Sequence, residues 1–243
     1  WMFPRRSGIR APETREWILG ALYLPVFLFF LNFAILAYFP ALGFPLTEPR
    51  NYFFANLLYM TVNFAVMLLI FRRTLWQSLR EFEGKMLLSV LIGFGMCYGA
   101  NLVLTTAYTV LDIMPENYNQ EAVNSLLGGY PLAMTLCTVV LAPLAEECLF
   151  RGVLFAPLAR RCLPAAYALS MFLFAGMHVF QFLGSMTAAN TILCLSLYLP
   201  ASFSLCWVYQ KTGNIWACIF LHMFINFQSV LASLLRSLMQ AFL

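Results

Sequence analysis

The sequence predicts an all-α fold, a polytopic membrane helix bundle with about seven transmembrane helices. Two observations carry this. Of the 243 residues 62 % are hydrophobic and 10 % charged, whereas a soluble domain has roughly 45–50 % apolar and about 25 % charged residues, so the apolar surplus must face lipid. The chain also divides into seven apolar runs, each near the roughly 20 residues that a helix needs to cross a bilayer. Backbone polar groups must be satisfied internally in hydrocarbon, and runs of this length are too long for barrel strands.

The runs are approximately 17–38, 52–71, 86–110, 130–158, 164–183, 190–209 and 215–235. A basic start followed by an apolar run also suits a signal peptide, but the first run is too long and lacks a clear small-x-small cleavage site. The breaks carry turn and charge signals: Pro45 and Pro49, Arg72 to Lys85, Asp112 to Gly129, Arg160 to Pro164, Gly184 to Ala189, and Gln210 to Asn214. The fourth run is long enough to hide a further helix or a re-entrant piece. Gly95 and Gly99 in the third run form a GxxxG, a spacing that permits close helix approach.

A cytoplasmic N-terminus places Arg5, Arg6, Arg10, Arg15, Arg72, Arg73, Arg80, Lys85, Arg160, Arg161 and Lys211 inside, and only Arg50 and Arg236 outside. That asymmetry predicts an N-in, C-out topology. It also explains the net charge of +4 without nucleic acid. The expected organisation is a cytoplasmic tail over 1–16, three accessory spans and their loops over 17–129, and a core of four spans over 130–243. The seven cysteines show no CxxC or CxxH spacing; all but Cys162 fall inside apolar runs and read as packing residues.

Ionisable groups inside a membrane are costly and mark function. Here they cluster: Glu146, Glu147 and Arg151 in the fourth run, His178 in the fifth, and His222 with Asn226 in the seventh. The chain has no other histidine. Glu147 and Arg151 are one turn apart and share a face, as are His222 and Asn226; Glu146 points about 100° away from Glu147. At about 1.5 Å per residue, Glu146, His178, His222 and Asn226 lie roughly 18, 21, 11 and 17 Å from the inner ends of their spans, close enough in level to meet in one cavity. Pro143 and Pro200 can each kink a span. Phe174 reads as packing.

A carboxylate, two imidazoles and an amide can activate water and hold an oxyanion. The same Glu and two His also suit zinc with an open water position, though no HExxH is present. Proton or ion transport and a structural polar core remain open on these residues alone; paired half-repeats with broken helices, the mark of many transporters, are not seen.

At these residues the chain resembles the CAAX prenyl endopeptidase and bacteriocin-processing (CPBP, or Abi) family of intramembrane proteases. That family's EExxxR, FxxxH and HxxxN motifs read here as Glu146-Glu147-Cys148-Leu149-Phe150-Arg151, Phe174-Ala175-Gly176-Met177-His178 and His222-Met223-Phe224-Ile225-Asn226. The stretch Thr212-Gly213-Asn214-Ile215-Trp216 is also similar. The resemblance covers roughly residues 130–235. It implies hydrolysis of a peptide or protein substrate at the bilayer: Glu146 with His178 activating water, His222 and Asn226 stabilising the oxyanion, Glu147 and Arg151 orienting the site. The favoured reading needs no metal, with zinc as the alternative cofactor. The expected location is a bacterial cytoplasmic membrane. A proton-coupled transporter and a non-catalytic scaffold or immunity protein are the competing functions.

Overall fold

The computed structural model describes residues 9–241; Arg5 and Arg6 of the expected tail lie outside them. Seven helices are long and apolar enough to cross a membrane: Thr14–Ala41, Pro49–Ile70, Lys85–Val110, Pro131–Ala159, Leu163–Ser185, Ala188–Thr212 and Ile215–Gln240. No strand occurs among the described residues. The seven predicted runs are all present. They extend mainly at their ends, where polar residues continue a helix beyond its apolar stretch; the seventh carries Arg236 within it.

Two short helices fill breaks that the sequence marks only as turns. Tyr118–Gly129 starts at Asn117, whose side chain accepts the Gln120 N–H. Its polar face meets the seventh span: the Ser233 hydroxyl donates to Asn124 Oδ1 at 2.8 Å and Ser229 to Gln120 Oε1 at 3.2 Å. Arg72–Arg80 lies at the opposite, basic end of the bundle. It buries Thr74, Leu75 and Ser78 and exposes Arg72, Arg73, Trp76 and Arg80.

That basic end is cross-braced. Glu16, although buried, accepts the Arg73 and Thr74 backbone N–H groups and the Thr74 hydroxyl, so a carboxylate from the first span caps the helix start, where orphan N–H groups and the positive dipole end favour it. Asn214 caps the seventh span by accepting the Trp216 and Ala217 N–H groups, while its own amide donates to the Ser78 carbonyl at 2.6 Å. Gly213 ends the sixth span at φ 61°, a left-handed conformation that favours glycine. The seventh span is thereby fixed in register two turns before His222.

The fourth span is the centre of the bundle. It hides no further helix; it runs continuously but in two registers, with π segments at Cys137–Leu141 and Cys148–Phe155 on either side of Ala142–Glu147. The sixth span passes through Pro200 without a break in its helix. The GxxxG expectation is corrected in one respect. The close approach in the third span is made by Gly93, where an added Cβ would lie 2.7 Å from Val208, while Gly95 and Gly99 have nothing within 4 Å. Six cysteines are buried and Cys162 is exposed, all seven as free thiols.

Candidate active site

Glu147 and Arg151 are both fully buried, and the Arg151 Nη1 donates to Glu147 Oε1 at 3.0 Å. Residues 148–155 are π-helical, so the Ala156 N–H reaches back five residues to the Arg151 carbonyl. Single-turn π insertions alter which face a residue presents and recur at functional sites. Arg151 Nη2 donates to both the carbonyl and the hydroxyl of Ser202 at 3.2 Å, which ties the fourth span to the sixth. A guanidinium removed from water requires such partners.

His222 approaches the same carboxylate from the seventh span, with Nδ1 2.8 Å from Glu147 Oε1. An anionic Glu147 can only accept, so Nδ1 carries the proton. The other ring nitrogen, Nε2, stands 3.9 Å from Glu146 Oε2, too far for a hydrogen bond. Glu146 Oε2 is buried and has no hydrogen-bond partner in the protein. The two adjacent carboxylates differ in one oxygen: Glu147 Oε1 is shared by a cation and an imidazole, while Glu147 Oε2 and Glu146 Oε2 are both buried without a hydrogen-bond partner in the protein.

His178 Nδ1 lies 2.8 Å from the Phe174 carbonyl. A carbonyl accepts, so Nδ1 is the protonated nitrogen and Nε2 presents a lone pair when the ring is neutral. The ring stacks on Tyr198 at 4.5 Å and 22°. Tyr198 is in turn held by its hydroxyl, which donates to Asn117 Oδ1 and accepts from Asn119. Phe174 packs among three site groups, with Arg151 4.9 Å over its ring and the His178 and His222 rings at 4.8 and 5.6 Å. The packing role expected for Phe174 is therefore that of a spacer between the two imidazoles.

Asn226 donates its amide to the Thr138 carbonyl at 2.8 Å. In the π register of 137–141 the Ala142 N–H bonds the Cys137 carbonyl, and the next donor due, for Thr138, is Pro143. Proline has no N–H. Asn226 supplies the missing donor from another span.

The structure places the six sequence-selected residues on three adjacent helices and joins Glu147, Arg151 and His222 directly. It does not hydrogen-bond His178 to Glu146. Three supporting residues escape the motif reading: Ser202, Thr138 and Tyr198. The π registers set two of them, and hydropathy carries no signal for these. Among the described residues, no three His, Cys, Asp or Glu side chains converge closely enough to hold a metal ion.

Residues 128–228 match the family model described as type II CAAX prenyl endopeptidase Rce1-like. All six candidate residues of the motifs fall inside this matched segment. The chain is also 28 % identical over 166 residues to a Bacillus subtilis (strain 168) protein named "Putative membrane peptidase YdiL", an alignment covering 66 % of this chain and 64 % of that protein. Both findings support the CPBP/CAAX resemblance read from the motifs. The chain thus spans somewhat less than two thirds of that relative's length. No solved structure matches the chain.

Proposed function

We propose that this chain is an intramembrane endopeptidase that hydrolyses a peptide bond of a membrane-associated peptide or protein, with Glu146 as the general base. The observation that carries the reading is how the two glutamates are held. Glu147 is tied through Oε1 to Arg151 and His222, whereas Glu146 makes neither bond and has a buried, unpartnered Oε2 3.9 Å from His222 Nε2.

In the proposed reaction water attacks the scissile carbonyl. One O–H bond breaks, its proton goes to Glu146, and the electron pair forms the new C–O bond. His178 Nε2 accepts the water's other hydrogen and fixes its orientation. The oxyanion receives a hydrogen bond from His222 Nε2; because Nδ1–H already donates to Glu147, this donor requires the ring to carry both protons, with Glu147 as counter-charge. Asn226 has one amide hydrogen committed to Thr138 and a second free for the oxyanion. The C–N bond then breaks as Glu146 returns its proton to the leaving amine. No step passes through a metal. The substrate is reached at the membrane; the tally of basic residues supports a cytoplasmic N-terminus, and the family resemblance supports a bacterial cytoplasmic membrane.

The test is purified protein in detergent, assayed against a broad set of peptides by mass spectrometry. Glu146→Gln lowers turnover by at least the 10²–10⁴-fold typical of general-base removal while the folded protein persists. Near-normal turnover of Glu146→Gln, with Glu147→Gln stable and inactive, would reverse the two roles.

A further inference from the structure

The second span, outside the family match, carries buried polar groups and packs beside the same site. It packs on Cys137–Leu141 and Ala142–Glu147 of the fourth span. The two spans run parallel: Phe53 stacks on Tyr130 at one end, with centroids 3.8 Å apart, and the Phe71 ring abuts Gly152 at the other, where a Cβ would lie 2.8 Å from it. Asn63 precedes Phe71 by eight residues and Glu146 precedes Gly152 by six. At about 1.5 Å per residue they stand roughly 12 and 9 Å from that shared level and roughly 15 and 24 Å from the Phe53–Tyr130 level, so Glu146 sits somewhat nearer the Phe71 end, and both side chains tilt toward the same end of the bundle.

Asn63 is 2 % exposed. Its Oδ1 accepts the Tyr23 hydroxyl at 2.9 Å, and its Nδ2 has no hydrogen-bond partner in the protein. One turn before it, Tyr59 donates to the Phe27 carbonyl at 2.9 Å, within the π segment Val26–Phe30 of the first span. Tyr59 stands within electrostatic reach of Glu146 and of Tyr23. The first span thereby holds Asn63 through Tyr23. A buried donor and a buried acceptor, each without a hydrogen-bond partner, lie on two spans packed against each other.

We propose that Asn63 is a positioning residue for the hydrolytic reaction, its Nδ2 donating to the attacking water whose proton Glu146 accepts. The assignment rests on the endopeptidase reading above. One water satisfies both groups: it accepts from Asn63, donates to Glu146 Oε2, and keeps a lone pair for the carbonyl carbon. On attack that lone pair forms the C–O bond and the bridging proton passes to Glu146. Tyr23 occupies the amide oxygen, so that the N–H, and not the oxygen, meets the water. The accessory spans thus complete the site.

Two measurements test this. Steady-state kinetics of Asn63→Ala and Tyr23→Phe are compared with wild type and Glu146→Gln. Asn63→Ala lowers kcat on the order of 10²-fold, the cost of a misplaced nucleophile, with KM within about twofold and the folded fraction retained; Tyr23→Phe, which only frees the amide to turn, shows a smaller fall in kcat. An unchanged kcat, or a loss confined to KM, overturns the assignment. The second measurement is an experimental map of the wild type that shows ordered solvent. Density within hydrogen-bond distance of both Asn63 Nδ2 and Glu146 Oε2 supports the assignment, whereas a direct bond between the two, or their facing separate cavities, overturns it. A wild type that hydrolyses no peptide would sink the endopeptidase reading alone, because the map still decides where the water sits.

Discussion

The third and fourth spans are alike in hydropathy, 1.9 against 1.6, yet 17 % of the third span's apolar window is buried in the bundle and 50 % of the fourth's. The third is a regular α-helix from Lys85 to Val110 that shows most of its surface to lipid. The fourth changes register twice and places Glu147 and Arg151 where neither touches solvent or lipid. Apolar character decides that a segment crosses the membrane. It does not decide whether the segment is wall or centre. Polar side chains, and irregular backbone that neighbouring spans must satisfy, mark the centre.

The sharpest way to test that contrast is inside the fourth span itself. Glu147→Ala leaves the Arg151 guanidinium with only Ser202 as partner and removes the acceptor for His222 Nδ1. An uncompensated buried charge costs roughly 3–5 kcal/mol. The expected outcome is a large fall in melting temperature in detergent together with lost turnover, whereas Glu146→Gln loses turnover alone. Arg151→Leu combined with Glu147→Leu should recover much of the stability but none of the activity. Equal stability of Glu147→Ala and Glu146→Gln would mean that the ion pair is not what holds the centre together.

The seven spans are legible in the sequence, and six candidate residues stand out in it, because both rest on strong free-energy penalties. Charges and bare backbone are excluded from lipid, so Glu146, Glu147, Arg151, His178 and His222 stand out against an apolar background. The pairings were less legible. The i, i+4 spacing gave Glu147 with Arg151, but the partnership of His222 with Glu147 depends on how two helices rotate against each other. The role of Asn226 depends on a π register created around Pro143, which the sequence marks only as a kink. Tyr118–Gly129 falls in a break between spans because a short amphipathic helix, half polar and half apolar, lacks the apolar length that marks a span. Tyr59 and Asn63 show the same i, i+4 polar spacing as His222 and Asn226, but neither is ionisable at neutral pH, so the lipid penalty marks them only weakly.

A smaller effect tests whether irregular backbone is held in place by the seventh span. Asn226→Leu leaves the Thr138 carbonyl without a donor, because Pro143 cannot supply one. An unsatisfied buried group costs about 1–3 kcal/mol. Asn226→Ala leaves more room for solvent to reach the carbonyl and should cost less. If Asn226 is the oxyanion donor proposed above, both variants should slow turnover equally while their stabilities differ. A Leu variant as stable as wild type would show that the π segment does not depend on Asn226.

The smallest effect lies in the third span, and it is a difference between two glycines on one helix. Gly93 meets Val208 and Leu221, whose side-chain carbons would come within 2.7 and 2.9 Å of an added Cβ. Gly99 has nothing within 4 Å. Gly93→Ala therefore forces two neighbours to shift, and overpacking of this kind costs about 1–3 kcal/mol, reduced here because both contacts are ends of side chains. Gly99→Ala meets no such resistance and replaces a poor helix former with a good one, a gain of up to about 1 kcal/mol. Melting temperatures in one detergent should thus move in opposite directions for the two variants, with turnover unchanged in Gly99→Ala. If Gly99→Ala instead destabilises, and does so more at high protein concentration, the face carrying Gly95 and Gly99 is covered by a second copy of the chain. The third span would then be wall in the monomer but centre in an assembly.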